Sequence, residues 1–180
     1  MENKKIIEMI DNNQIEELRK ILLQEICVKE NKNSNTQKGL LDLSKLTAKE
    51  MEKDRPVLAG AYFHNGNTYI CNGFYLVRID NEERQGLEMA KTYADNYPQF
   101  DSFIDDFKYD KEVVVDRKEI TTAKVNKEQY VRVGTHKYQT KYFDKILKCF
   151  DDTAKFYESD NFILMKDNEK EAILLRIREA

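Results

Sequence analysis

Two Asn-Gly dipeptides, Asn65-Gly66 and Asn72-Gly73, constrain the fold of this chain more than any other feature. Asn-Gly is the preferred centre of a two-residue β-hairpin turn, because both residues tolerate a positive φ. Apolar and aromatic residues fill the segments around the two turns. The pattern therefore predicts three consecutive antiparallel strands, at 56–63, 68–71 and 74–79, the first buried on both sides or at a sheet centre.

The last third of the chain predicts a helix followed by strands. Within 138–150, the apolar residues recur at positions that share one face of a helix. Apolar runs at 154–157, 162–165 and 171–177 follow, with a polar turn at 166–169. We therefore expect one short amphipathic helix and at least two antiparallel strands.

The stretch from 40 to 80 has the same predicted order as the stretch from 130 to 177. It begins with a short strand at Leu40–Leu43 and continues with a helix at about 44–53. Two halves of the order strand, helix and antiparallel strands indicate an internal structural repeat. The predicted fold class is α+β, with both helices on one side of a continuous sheet layer. Between the halves, the patterns predict helices at 87–96 and 117–125 and strands at 112–116 and 130–133.

The predicted domain organisation has three parts. Residues 1–28 form a helical hairpin, 29–39 a polar linker, and 40–180 the α+β domain. The hairpin is a lid over the main domain or a helix pair that binds a partner, and the sequence leaves both open.

Composition excludes several classes of protein. The chain has 180 residues and a net charge of −3, so it is not a basic nucleic-acid binder as a whole, although a local basic face can still meet phosphates. No apolar run approaches the roughly 20 residues that a membrane span requires. Cys27, Cys71 and Cys149 are widely spaced, which predicts a cytoplasmic protein without disulfides. Cys71 and Cys149 are expected in the core.

No motif indicates catalysis or a cofactor. His64 and His136 lie apart from any nucleophile or carboxylate motif, and both are expected at the surface. The sequence has no P-loop, no dinucleotide-binding glycine motif and no zinc-ligand spacing. We therefore expect no enzyme activity, no cofactor and no metal. Four aspartates are expected in a solvated loop, with a cation site or phosphate mimicry as alternatives: Asp101, Asp105, Asp106 and Asp110.

Six lysines form two stripes that could meet on one surface. The first stripe is Lys45, Lys49 and Lys53, on the helix predicted at 44–53, and the second is Lys141, Lys145 and Lys148, on the last helix. If both helices share a side of the sheet, the two stripes would contact duplex phosphates without reading bases. The alternative is that each stripe is simply a solvated helix face.

Several segments resemble the bacterial sliding clamp, the β subunit of the replicative polymerase. They are RPVLAGAYF at 55–63, YICNGFYLVRI at 69–79, NYPQF at 96–100, VVVDRKEI at 113–120, YQTKYFDKIL at 138–147 and AILLRIR at 172–178. Their order along the chain is that of the clamp, and none is a catalytic signature. A clamp chain has three such domains, whereas this chain has room for one.

The resemblance implies a single clamp-like domain, encoded by a phage or mobile element, that acts in DNA replication or other DNA transactions. It implies contact with duplex DNA or with a replication protein, whose peptide would bind a groove beside Tyr142, Leu175 and Ile177. A ring would require a homo-oligomer or a partner. The alternative is a phage-encoded, anti-CRISPR-like inhibitor that reuses the fold to bind a host nuclease or defence complex.

Overall fold

The computed structural model describes residues 35–79, 87, 89–90 and 111–178. The helical hairpin predicted at 1–28, Cys27 and the four aspartates at 101–110 lie outside these ranges.

The described residues form an α+β fold with three helices and two antiparallel sheets. The helices are α1 (Asn35–Asp54), α2 (Arg117–Val125) and α3 (Thr140–Leu147). The strands are β1 (Ala61–His64), β2 (Asn67–Cys71), β3 (Tyr75–Ile79), β4 (Lys111–Glu112), β5 (Tyr130–Val133), β6 (His136–Gln139), β7 (Lys155–Glu158), β8 (Phe162–Lys166) and β9 (Lys170–Leu175). Seven strands form one sheet in the order β1-β2-β3-β9-β8-β7-β4, and β5 and β6 form a separate hairpin.

The first Asn-Gly turn forms as predicted, whereas the second is shifted by one residue. The Asn72 N–H donates to the Tyr75 carbonyl oxygen at 3.3 Å, so Gly73 and Phe74 are its central residues. Asn65 and Gly66 have φ values of 49° and 82°, so the β1–β2 turn uses the left-handed conformation at both positions. At the second turn, the Asn72 side-chain oxygen accepts hydrogen bonds from the N–H groups of Phe74 and Tyr75, at 2.9 and 3.1 Å. The predicted strands β2 and β3 are therefore confirmed.

The first predicted strand is wrong in its extent and its place. Residues Pro56–Leu58 form a 3-10 turn, and β1 begins only at Ala61 and lies at one end of the sheet. Pro56 lacks the N–H that a ladder needs and therefore disfavours a strand there. Gly60, with φ of 125°, separates the turn from β1.

A single helix replaces the strand predicted at Leu40–Leu43 and the end of the linker predicted at 29–39. Helix α1 runs without interruption from Asn35 to Asp54. Leu40, Leu43, Thr47 and Met51 are buried and recur at helical spacing, so they line one face. The three leucines of the segment 40–43 resemble a short strand only when the segment is considered without the residues that follow it.

Helices α1 and α3 lie on the same side of the sheet, as predicted. Both contribute to one core with the strands, and the two helices pack against each other. The core side chains on the strands alternate along each strand, as with Tyr75, Val77 and Ile79 on β3. On the opposite face of the sheet a second apolar cluster includes Tyr69, Leu76 and Ile173.

A helix followed by three antiparallel strands occurs twice. The units are α1 with β1, β2 and β3, and α3 with β7, β8 and β9. They join at the centre of the sheet, where β3 pairs antiparallel with β9 from Tyr75↔Leu174 to Ile79↔Lys170. The leading strand predicted for the first half is absent from the described residues, because that segment is part of α1.

The segments between the two units are partly as predicted. Helix α2 occurs where expected, and the Asp116 side chain caps it by accepting the Lys118 N–H at 2.8 Å. The strand predicted at 112–116 reduces to Lys111–Glu112. The helix predicted at 87–96 does not begin at 87, because Met89 forms a parallel bridge with Ala61; residues 91–96 lie outside the described ranges.

Candidate functional site

The three α1 lysines of the predicted DNA-binding stripe face solvent on the side of the helix away from the sheet. Lys45, Lys49 and Lys53 recur every four residues and are all exposed, whereas Leu43 and Thr47 are fully buried. Within residues 35–79 and 111–178, none of these three lysines forms an ion pair. Their full positive charge is therefore presented to solvent.

The two lysines of α3, Lys141 and Lys145, and its C-cap residue Lys148 are in a different environment. Lys141 pairs with Glu50 of α1, and Lys148 pairs with Asp144 at 2.9 Å. Only Lys145 forms no ion pair in the described part of the chain. Pairing therefore reduces the charge that α3 can offer to a ligand.

Asp144 is the buried centre of an ion-pair cluster between α2 and α3. Its side chain is 3 % exposed, and its Oδ2 accepts hydrogen bonds from both Lys124 and Lys148. Burial by itself would raise the pKa of Asp144, but the two lysine hydrogen bonds outweigh it and lower that pKa below its usual value. The hydrogen bond to Asp144 also raises the pKa of Lys124. One carboxylate with two ammonium groups leaves a single net positive charge.

A close contact brings helices α1 and α3 together. A Cβ atom at Gly39 of α1 would overlap the carbonyl oxygen of Lys148 at the end of α3. Only glycine allows the two helices to approach this closely. We call the exposed and half-exposed lysines of the two helices the lysine face, which comprises Lys45, Lys49, Lys53, Lys141, Lys145 and Lys148.

The second predicted site is a groove at the end of β9. Tyr142, Leu175 and Ile177, which the resemblance assigns to a peptide groove, line one cavity of about 360 Å³ with Phe74. Phe74 is 48 % exposed, and its ring stacks on Tyr142 with centroids 5.8 Å apart. We call this cavity the β9 groove.

Phe74 and the basic rim of the β9 groove were missed at the sequence level. Arg176 and Arg178 also line the cavity and make its rim basic. The Leu175 N–H donates to the carbonyl oxygen of Phe74 at 2.9 Å, which ties the two exposed apolar side chains together. The available signal was a large aromatic residue immediately after an Asn-Gly dipeptide.

The two cysteines in the described ranges are core residues, as predicted. Cys71 and Cys149 are buried and free of disulfides. Burial raises the pKa of Cys71 to about 11 and raises that of Cys149 further. Both thiols are therefore protonated at neutral pH and poorly nucleophilic.

Among the described residues, neither histidine belongs to a cluster of metal-binding side chains. His64 is half-buried and stacks on Tyr62 with centroids 5.9 Å apart, and His136 is half-buried in β6. Across the described ranges, no group of three His, Cys, Asp or Glu side chains could hold a metal ion. No helix in the same ranges is long and apolar enough to cross a membrane.

Comparison with known proteins finds no match: no protein-family model fits the chain, and no curated protein or solved structure matches it. The resemblance to sliding clamps consequently stays a prediction that depends on the order of short segments. What the chain binds must be inferred from the lysine face and the β9 groove themselves.

Proposed function

We propose that this chain is a non-catalytic, sliding-clamp-like protein that contacts the backbone of duplex DNA through its lysine face. The observation that carries the proposal is the placement of α1 and α3 side by side on one face of a continuous sheet. Four lysines of that surface are exposed or half-exposed and unpaired among the described residues: Lys45, Lys49, Lys53 and Lys145. The repeated unit of a helix and three strands supports the clamp-like description.

The spacing of the α1 lysines suits a row of phosphates. Lys45 and Lys53 are eight positions apart, which corresponds to about 12 Å along the helix axis. One strand of a duplex carries about three to four phosphates over that length. Three flexible lysine side chains can therefore each meet a separate phosphate, which supplies affinity without reading the base sequence.

Substitution of two α1 lysines tests this contact. Lys49→Gln with Lys53→Gln is expected to weaken duplex binding about 10-fold near 0.1 M salt. The slope of log affinity against log salt should fall in magnitude by about 1.8, because each lost phosphate contact removes about 0.9. Fluorescence anisotropy with a labelled 30-base-pair duplex at several salt concentrations measures both quantities.

A matched control removes the same charge elsewhere. Lys111→Gln with Lys155→Gln changes two exposed lysines on β4 and β7, and should leave the salt slope unchanged. If both pairs of substitutions weaken duplex binding equally, the loss reflects the overall charge of the chain and not a contact at α1. Failure of the wild-type chain to bind duplex would contradict the proposal.

A second candidate function is docking of a replication protein at the β9 groove. The groove favours it because Phe74, Tyr142 and Leu175 form an apolar floor, whereas Arg176 and Arg178 make the rim basic. Such a cavity suits an extended peptide that has apolar side chains beside carboxylates. The partner would be a polymerase or a clamp loader, as the resemblance implies.

A charge placed in the groove tests this docking. Leu175→Glu is expected to abolish retention of polymerase or clamp-loader subunits on the immobilised chain, because it puts a carboxylate on the apolar floor. Val114→Glu is the control, since Val114 is 95 % exposed and lies away from the groove. Mass spectrometry identifies the retained proteins. Retention of a host nuclease or defence complex instead would favour the inhibitor alternative.

A further inference from the structure

Glu50 lies in the seam between α1 and α3 and is held from two sides. One carboxylate oxygen accepts a hydrogen bond from Lys141 Nζ, and the other accepts from Asn72 Nδ2 at 3.3 Å. Asn72 is itself fixed, because its Oδ1 accepts the N–H groups of Phe74 and Tyr75. The Glu50 side chain is 18 % exposed, so its carboxylate is anchored within the seam and not free to follow a ligand.

Lys141 is held in place by more than the carboxylate. Its Nζ lies 5.2 Å from the centroid of the Tyr142 ring, in a cation–π contact. Burial first and the Glu50 carboxylate second raise the pKa of the Tyr142 hydroxyl. The ammonium group of Lys141 is therefore drawn onto the seam, whereas the α1 lysines project freely.

We propose that Glu50 is a residue that sets the strength of the duplex contact, by withholding Lys141 from the phosphates. This inference rests on the proposed function. A phosphate that binds Lys141 must displace Glu50, which leaves the Glu50 carboxylate unpaired beside the phosphate. The Glu50–Lys141 pair therefore adds no net charge to the lysine face, and its carboxylate opposes a phosphate that approaches Lys141.

Removal of the Glu50 charge should therefore release Lys141. Glu50→Gln keeps an oxygen that accepts from Asn72, so the seam retains its hydrogen bond. We expect duplex affinity to rise about 5-fold near 0.1 M salt and the salt slope to steepen by about 0.9, the value of one added phosphate contact. Thermal unfolding of the variant serves as a check that the fold is intact.

Glu52→Gln is the matched control. Glu52 is on the same helix and exposed, and it makes no ion pair with a described residue. Its substitution changes the net charge by the same amount, so it should raise affinity less than twofold and leave the salt slope unchanged. The double variant Glu50→Gln with Lys141→Gln should lose the whole gain and return to within twofold of the wild-type affinity.

Two results would overturn the inference while leaving the proposed function standing. One is equal affinity of the Glu50 and Glu52 variants in a chain that binds duplex. The other is a gain that persists when Lys141 is also substituted. Absence of duplex binding in the wild type and in every variant would remove both proposals together.

Discussion

Helices α1 and α3 carry the same pattern of lysines at nearly the same spacing, yet the two stripes differ in what they can bind. The α1 lysines are exposed and make no ion pair within the described ranges. On α3, Lys141 and Lys148 are each paired with a carboxylate. Spacing thus decides which face a charge occupies, and the neighbouring elements decide whether that charge is available.

The difference follows from the position of α3 between two other helices. Glu50 of α1 reaches it on one flank, and Lys124 of α2 reaches it on the other. Asp144 is buried between α2 and α3 and needs both of its lysines, because an unpaired buried carboxylate is costly. The phosphate contact that we propose therefore depends more on α1 than on α3, although the two stripes are equivalent in the sequence.

The largest expected effect is a loss of stability when helices α1 and α3 are forced apart. Gly39→Ala would normally stabilise a helix interior by about 1 kcal/mol. Here the new Cβ would overlap the carbonyl oxygen of Lys148. We expect the free energy of unfolding to fall by about 2–3 kcal/mol, the range of an overpacked site, as measured by urea denaturation.

Lys38→Ala is the control for this substitution. Lys38 is exposed on the same turn of α1, so its loss should change the free energy of unfolding by less than about 0.5 kcal/mol. A stabilised Gly39→Ala variant would show that α1 and α3 do not meet at this point.

A smaller loss of stability is expected when the buried carboxylate of Asp144 on α3 is removed. Asp144→Asn should lower the free energy of unfolding by about 1–2 kcal/mol at pH 7, because it ends two charged hydrogen bonds. The expected loss of stability is no larger because Lys124 and Lys148 are almost half exposed, so water can solvate their ammonium groups in the variant.

The pH dependence of this effect has a definite sign. The pKa of Asp144 is lowered in the folded state, so its stabilisation is complete above the usual carboxyl pKa of about 3.9. It is lost as pH falls through the depressed folded-state pKa. The gap between wild type and Asp144→Asn should therefore narrow below about pH 4, in urea titrations at successive pH values. The control Lys49→Gln breaks no ion pair among the described residues, so its free energy of unfolding should stay within about 0.5 kcal/mol of wild type at every pH. A difference between wild type and Asp144→Asn that does not change with pH would contradict the role given to Asp144.

Local sequence patterns predicted the elements that follow a clear turn or have a clear amphipathic period. The Asn-Gly turns located β2 and β3, and the amphipathic period located α3. Helix α2 was located because Ile120, Ala123 and Lys124 fall along one side of a helix over 117–125. The start of α1 was missed because Leu40–Leu43 has three leucines in four positions, and a short leucine-rich segment does not distinguish a strand from a buried helix segment.

The candidate site was predictable only in part. The residues that the resemblance assigned to a groove do line one cavity. Phe74, the most exposed apolar side chain of that cavity, lies in the β2–β3 turn and was not among the residues that the resemblance assigned. The pairing of Glu50 with Lys141 joins residues that are far apart in the chain. Residue spacing within one helix carries no information about such a pair.

The sequence alone determined the hairpin turns, the amphipathic faces of the helices and the placement of lysines opposite the apolar side chains. Each of these depends on neighbours within a few positions, through φ preferences and helical period. Only the tertiary structure decided that β3 and β9 join the two units, that Glu50 pairs with Lys141, and that Lys124 of α2 reaches Asp144. Those outcomes depend on which distant surfaces pack together, because charge pairing acts through space and not along the chain.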